Sequence, residues 1–290
     1  MSDEVPTLGG VLVLAIAALV ALWIAKISGY YTKLSRPTWK DHVPLWSVIS
    51  AFAIYFTASL LVASIFIPAL QKILPNNTSI IALTVWLHFS LSLIILIGLS
   101  ALTRTLPSPT LLWKDPNATQ SCKEDLKYAL YSWCIAFPLV GSVGQFFDWL
   151  LFTIFQIKEL PDQLAVYFVK MSFAHPGFFT LALISISILA PIVEELLFRG
   201  FLQSFLRTHL GSAKAILISS VCFALFHFSP EQGLGNIPII GSLFAFALFL
   251  GYLYERQGSL FASIALHSLF NTISILNLYF LGETPRGPIW

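Results

Sequence analysis

The chain has 290 residues, of which 57% are hydrophobic and only 10% are charged, and its mean hydropathy is +0.82. A soluble globular protein carries roughly 25% charged residues, so this chain has too few to cover a surface that faces water. The net charge of +2 gives no indication of a nucleic-acid partner. The composition therefore predicts an integral, multi-pass membrane protein.

The apolar segments predict an all-α bundle of about eight transmembrane helices. A membrane-spanning helix needs about 20 mainly apolar residues. Pro138 and the polar Gln145 and Asp148 interrupt the fourth segment, which indicates a kinked or divided helix there, and the sixth segment is short. In chain order the predicted spans are Leu8–Ile27, Leu45–Leu70, Ile80–Leu102, Tyr128–Ile157, Phe178–Leu206, Ala215–Phe228, Ile237–Tyr254 and Ser259–Phe280.

The distribution of basic residues predicts the orientation. Lys and Arg accumulate in cytosolic loops. With eight spans and the N-terminus outside, only Lys72, Lys158, Lys170 and Arg286 of the 16 Lys and Arg residues would lie outside. We therefore expect both termini on the outer side of the membrane, away from the cytosol. The short chain favours a bacterial protein in the plasma membrane.

The fifth predicted span contains two adjacent carboxylates, Glu194 and Glu195, in an otherwise apolar helix. Ionisable groups inside a membrane are costly and usually mark a function. Glu195 and Arg199 have the i, i+4 spacing of an ion pair, which leaves Glu194 on another face as a candidate general base. Pro191 lacks an amide proton, so the carbonyl of Ser187, four residues earlier, should lose its hydrogen-bond donor within the helix.

Two later spans each place an imidazole on a helix face with a second side chain. Phe223 and His227 are four residues apart in the sixth span, and His267 and Asn271 are four residues apart in the eighth. Such a histidine, taken alone, could serve only to pack helices together.

The expected depths of these residues agree. Glu194 and His227 each lie 13 residues from the basic residues of one cytosolic hairpin, Arg207 and Lys214, which is about 20 Å along a helix. His267 lies 11 residues from Arg256, or about 16 Å. We therefore expect Glu194, His227 and His267 to meet near the middle of the membrane.

This combination of side chains suits peptide-bond hydrolysis in two ways. A carboxylate and an imidazole can activate water, while an imidazole and an amide can donate to an oxyanion. Alternatively Glu194, His227 and His267 could be three zinc ligands that leave one position open for water. The sequence does not separate these mechanisms, although we favour the one without a metal or other cofactor.

The three motifs, Glu194-Glu195-x-x-x-Arg199, Phe223-x-x-x-His227 and His267-x-x-x-Asn271, resemble those of the CAAX protease and bacteriocin-processing (CPBP) family. These intramembrane endopeptidases include the type II CAAX prenyl proteases.

The resemblance implies a helical bundle whose catalytic cavity opens to the cytosol. It also implies that Glu194 and His227 activate water, that His267 and Asn271 form the oxyanion hole, and that Glu195, Arg199 and Phe223 support the site or bind substrate. Residues 1–290 would be a single membrane domain, with variable N-terminal helices over 1–157 and the catalytic core over 178–280.

The substrate stays open at this stage. The resemblance implies either cleavage near the C-terminus of a prenylated CAAX protein or processing of a bacteriocin-like or membrane peptide, which would enter from the membrane or the cytosol. Two alternatives to an enzyme are a membrane scaffold of the same fold that binds without proteolysis and a small-solute transporter. The transporter predicts paired broken helices in related halves, and the sequence shows no internal repeat.

Overall fold

The structure is a computed structural model that describes residues 7–32, 34, 43–74, 77–103, 121–157 and 160–281. The described residues form helices and turns without a β-strand, so the protein has the predicted all-α fold. Lys158 and Arg286, which enter the charge count above, lie outside the described residues.

Nine helices are found among the described residues, and one 3-10 turn, Pro230–Gly235, lies between the seventh and the eighth. They are α1 Leu8–Ile27, α2 Leu45–Ile73, α3 Asn77–Thr103, α4 Cys122–Phe155, α5 Leu164–Ser172, α6 Pro176–Leu210, α7 Ser212–Leu225, α8 Asn236–Gln257 and α9 Leu260–Leu281.

Seven of the described helices are long and apolar enough to cross a membrane, namely α1, α2, α3, α4, α6, α8 and α9. Each of the eight predicted spans coincides with a helix, but α7 has only 14 residues. At 1.5 Å per residue it is about 21 Å long, less than the roughly 30 Å of a bilayer core. The expectation that the sixth span reaches Phe228 was wrong, because α7 ends at Leu225 and His227 lies in the turn that follows.

The fourth span is not divided. Helix α4 runs for 34 residues through Pro138 and packs along α1, α8 and α9. Transmembrane helices tolerate proline because neighbouring helices and side chains satisfy the freed backbone groups. The start of α4 is fixed by Ser121, whose side chain accepts a hydrogen bond from the Glu124 amide, with Glu124 and Asp125 in the first turn.

The packing of α6 against α7 and α9 creates the candidate site. A buried apolar cluster that includes Val193, Leu197 and Phe198 of α6 and Phe223 of α7 lies between these helices. Helix α6 ends at Gly211, where the positive φ of 79° lets the chain turn directly into α7. The short turn keeps α6 and α7 adjacent, so the motifs they carry face each other.

Candidate active site

Helix α6 departs from regular α-helical geometry on both sides of the two carboxylates. The segments Ser185–Leu189 and Leu196–Gln203 are π-helical, and the α-helical stretch Ala190–Glu195 lies between them. In the first segment the Ala190 amide donates to the carbonyl of Ser185, five residues earlier. Such π turns are uncommon and often occur at functional sites. Here they set the directions of Glu194 and Glu195.

The carboxylate of Glu194 faces two imidazoles that come from different parts of the chain. Its Oε2 is 3.9 Å from Nε2 of His227 and 3.8 Å from Nε2 of His267. Glu194 and His267 are buried, at 8% and 4% exposure, while the His227 side chain keeps 28% of its surface exposed. The structure therefore brings these three residues together, and His227 forms the accessible edge of the group.

Glu195 lies on a different face and holds two partners with one oxygen. Its Oε1 accepts a hydrogen bond of 2.8 Å from Nη1 of Arg199, which confirms the predicted i, i+4 pair. The same Oε1 is 2.9 Å from Nδ1 of His267, a contact that the sequence did not predict. Glu195 and Arg199 are both completely buried, and Nη2 of Arg199 donates to the backbone carbonyl of Ala247 at 3.1 Å.

The hydrogen-bond partners fix which imidazole nitrogen carries a proton. Nδ1 of His227 faces the carbonyl oxygen of Phe223 at 2.9 Å, so it must donate. Nδ1 of His267 faces Oε1 of Glu195, an oxygen that also accepts from Arg199, so Nδ1 donates to this carboxylate as well. In a neutral ring the second nitrogen then carries a lone pair. Both Nε2 atoms therefore turn their lone pairs toward the region around Glu194.

Phe223 joins the charged groups of the site. Its ring centroid is 4.6 Å from the guanidinium carbon of Arg199, which is a cation–π contact. The same ring lies 4.9 Å from the His227 imidazole and 5.8 Å from that of His267. Because Phe223 is fully buried, it restricts the positions of all three neighbours.

The side chain of Asn271 on α9 bonds to the backbone of α6, the helix that carries the two carboxylates. Its Nδ2 donates to the carbonyl of Ile186 at 2.9 Å. Ile186 lies in the π segment Ser185–Leu189, one residue before Ser187, whose carbonyl we expected Pro191 to leave without a donor. Asn271 is partly buried and lies one helical turn after His267.

The turn after α7 holds His227 through a residue that the sequence analysis missed. Asn236, which is buried, accepts a 3.0 Å hydrogen bond from the Ser229 amide and donates to the carbonyls of Ser229 and Gly233 at 2.7 and 2.9 Å. These three bonds fix the backbone two residues after His227. An isolated Asn at the start of an apolar segment carries no sequence signal for this role.

Helix α2 contributes a second residue that the sequence did not indicate. The Tyr55 ring lies 5.3 Å from Phe226, the neighbour of His227, and 4.6 Å from His88. Only the tertiary arrangement of α2 beside α6 places Tyr55 at the site, so motif spacing could not reveal it.

Glu194, His227 and His267 have the donor chemistry of a zinc site, since each turns a free oxygen or nitrogen lone pair toward the others. Within the described residues, however, no group of three or more His, Cys, Asp or Glu side chains is arranged to hold a metal ion. The donor types therefore suit zinc while their spacing does not form a ready site.

Comparison with known protein families places the motif-bearing region in one of them. Residues 176–273 match the family model described as "Type II CAAX prenyl endopeptidase Rce1-like". The match covers about a third of the chain and includes Glu194, Glu195, Arg199, Phe223, His227, His267 and Asn271. The searches of curated proteins and of solved structures gave no match. The matched family is thus described as one of endopeptidases.

Proposed function

Since residues 176–273 match the family model of Rce1-like type II CAAX prenyl endopeptidases, we propose that this protein hydrolyses peptide bonds inside the membrane with water activated by Glu194 and His227. The observation that carries the proposal is the 3.9 Å separation between Oε2 of Glu194 and Nε2 of His227. That separation is too long for a direct hydrogen bond and suits one shared water about 2.8 Å from each atom.

The chemistry of this water follows from its two acceptors. Glu194 Oε2 and the unprotonated Nε2 of His227 each accept one of its hydrogens, so a lone pair of the water oxygen points away from both. That lone pair attacks the carbonyl carbon of the substrate. Glu194 takes the proton that is released and can return it to the leaving amine. The exposed edge of His227 is where the peptide would approach.

His267 and Asn271 supply the proposed oxyanion hole. An Asn side-chain amide has two hydrogens, so Asn271 can donate to the oxyanion while it donates to the carbonyl of Ile186. For this role the His267 ring must carry a hydrogen on Nε2 as well as on Nδ1, in contrast to the neutral form described above. Glu195 binds the Nδ1–H of that ring and orients it, as the carboxylate of a catalytic triad does. Arg199 and Phe223 act on the reaction only by holding these groups in place.

The substrate is a peptide or protein that reaches the site from the bilayer or the cytosol. The family description favours a prenylated protein with a C-terminal CAAX sequence, and a bacteriocin-like or membrane peptide is the second candidate class. We propose that the protein lies in a bacterial plasma membrane with both termini outside.

The proposal is tested with purified protein in liposomes and internally quenched peptides. A farnesylated CAAX peptide, the same peptide without the lipid, and an unrelated hydrophobic peptide separate the substrate classes. Glu194→Gln removes the base at almost unchanged volume, and general-base losses are about 10²- to 10⁴-fold. Glu231→Gln, in the exposed turn after His227, is the matched control.

We expect the wild type and Glu231→Gln to cleave at equal rates and Glu194→Gln to lose activity while its thermal unfolding is preserved. Cleavage that survives Glu194→Gln would refute the mechanism. Absence of cleavage of every peptide by the wild type would favour a protein that binds without proteolysis.

A further inference from the structure

The hydrogen bond between Asn271 and Ile186 coincides with a gap in the backbone bonding of α6. In the π segment Ser185–Leu189, the amide of Ala190 donates to the carbonyl of Ser185. The next amide in the same register would belong to Pro191, and its acceptor would be the carbonyl of Ile186. Proline has no N–H. The helix backbone therefore cannot supply that donor.

A carbonyl without a donor is costly in a membrane helix, where no bulk water replaces the missing partner. Nδ2 of Asn271 lies 2.9 Å from the Ile186 oxygen, the distance of a full hydrogen bond. Asn271 belongs to α9, so this bond joins α9 to α6 about two helical turns before Glu194 and Glu195. His267, one turn earlier on α9, makes the second polar link through Glu195.

We infer that the Asn271 side chain replaces the missing amide of Pro191 and thereby positions the segment that carries Glu194 and Glu195. One hydrogen of the amide holds the backbone of α6, and the other is left for substrate. Asn271 is thus a positioning residue in addition to its oxyanion role. The catalytic consequence rests on the proposed function, whereas the exchange of hydrogen-bond donors does not.

The test is a double-mutant cycle, because Pro191→Ala gives the backbone an N–H that can reach the Ile186 carbonyl. The four proteins are the wild type, Asn271→Ala, Pro191→Ala and the double variant. Pro68→Ala, alone and with Asn271→Ala, is the matched control, since Pro68 also occupies the second position after a π segment, Val62–Phe66 of α2. Thermal unfolding in detergent is measured for each protein, followed by kcat and KM.

We expect Asn271→Ala to lower Tm by about 2–4 °C, the shift that the loss of one buried hydrogen bond produces in a domain of this size. Pro191→Ala should restore at least half of this loss, and Pro68→Ala should restore none. If Asn271→Ala alone yields no folded protein, recovery of folded protein in the double variant with Pro191→Ala is the same rescue. The kcat of the double variant should exceed that of Asn271→Ala, with KM unchanged.

Equal effects of Pro191→Ala in the wild-type and Asn271→Ala backgrounds, on Tm or on the yield of folded protein, would overturn the inference. Because unfolding does not require a substrate, this result is separate from the fate of the proposed function. If the wild type cleaves peptides but the Tm values show no coupling, the proposed protease function stands and the positioning role of Asn271 is refuted. If the Tm values show the coupling but no peptide is cleaved, the positioning role stands and the proposed protease function is refuted.

Discussion

Nδ1 of His267 lies 2.9 Å from Oε1 of Glu195, an oxygen that also accepts the 2.8 Å hydrogen bond of Arg199. A single buried carboxylate thus connects α9 to the ion pair of α6. Removing one member of a buried pair leaves an uncompensated charge, while replacing both members by apolar groups is often nearly neutral. The stability of the folded protein and the orientation of His267 therefore depend on the same carboxylate, that of Glu195.

Glu195→Gln should lower the free energy of unfolding by about 3–5 kcal/mol, because Arg199 keeps its charge in a fully buried position. The double variant Glu195→Gln with Arg199→Met should be less destabilised than Glu195→Gln alone. Chemical denaturation in detergent measures all three proteins, with Arg199→Met as the second single variant. Additive losses would show that the pair is not energetically coupled.

The positions of the long apolar helices were readable from the sequence, whereas helix α5, the end of α7 and the contacts across the site were not. Hydropathy placed α1 at Leu8–Ile27 without error, because membrane length and apolar composition fix that helix. The spacing of Glu195 and Arg199 predicted their ion pair, since residues four apart meet on one helix face. Both predictions rest on local periodicity.

The bond between Glu195 and His267 joins residues 72 positions apart, so it depends on how α6 and α9 pack. The π register around Ser185–Leu189 was also hidden, since apolar residues fill it as readily as an α-helix. The three bonds of Asn236 lie in the turn between the sixth and seventh predicted spans, where hydropathy carries no information on side-chain contacts.

Loss of the Asn236 side chain should reduce catalysis more than stability. Asn236→Ala removes all three hydrogen bonds of the turn after His227, while Asn236→Asp retains the acceptor for the Ser229 amide and loses the two donated bonds. We expect kcat to fall for both variants, and further for Asn236→Ala, because small displacements of a catalytic group cost up to about 10²-fold in rate.

The control for Asn236 is Glu231→Gln, which alters the side-chain contact of Ser229 within the same turn and leaves the backbone bonds intact. Its kcat should equal that of the wild type. If Asn236→Ala changes only KM or Tm and leaves kcat unchanged, Asn236 does not position His227 for catalysis.

Metal content provides an independent prediction for the mechanism. We expect purified protein to contain no stoichiometric zinc by mass spectrometry and to keep both its Tm and its peptide cleavage in 1,10-phenanthroline. The reason is that Glu194 and His227 can activate water without a Lewis acid. Stoichiometric zinc that disappears in both Glu194→Ala and His227→Ala would instead establish the ligand set Glu194, His227 and His267.

The proposed orientation is tested by labelling with a membrane-impermeant maleimide. Cys122, exposed at the start of α4, should lie on the cytosolic side, and His175, exposed before α6, on the outer side. Two proteins with a single cysteine are compared, one that keeps only Cys122 and one that carries only His175→Cys, with the other cysteines replaced by Ser. The His175→Cys protein should react in intact cells, and the Cys122 protein only after permeabilisation. Denatured samples of both proteins serve as the labelling control. The opposite pattern, or reaction at both positions in intact cells, would refute the orientation.

The order in which the motifs occur along the chain has a consequence during biosynthesis. Glu194 is on α6, His227 follows α7, and His267 is on α9, the last of the described helices. A nascent chain synthesised only as far as α8 has the proposed water-activating pair, Glu194 and His227, but lacks His267 and Asn271, the proposed oxyanion donors. Hydrolytic activity would therefore begin only when α9 enters the bilayer, so that partly synthesised chains stay harmless to the membrane proteins around them.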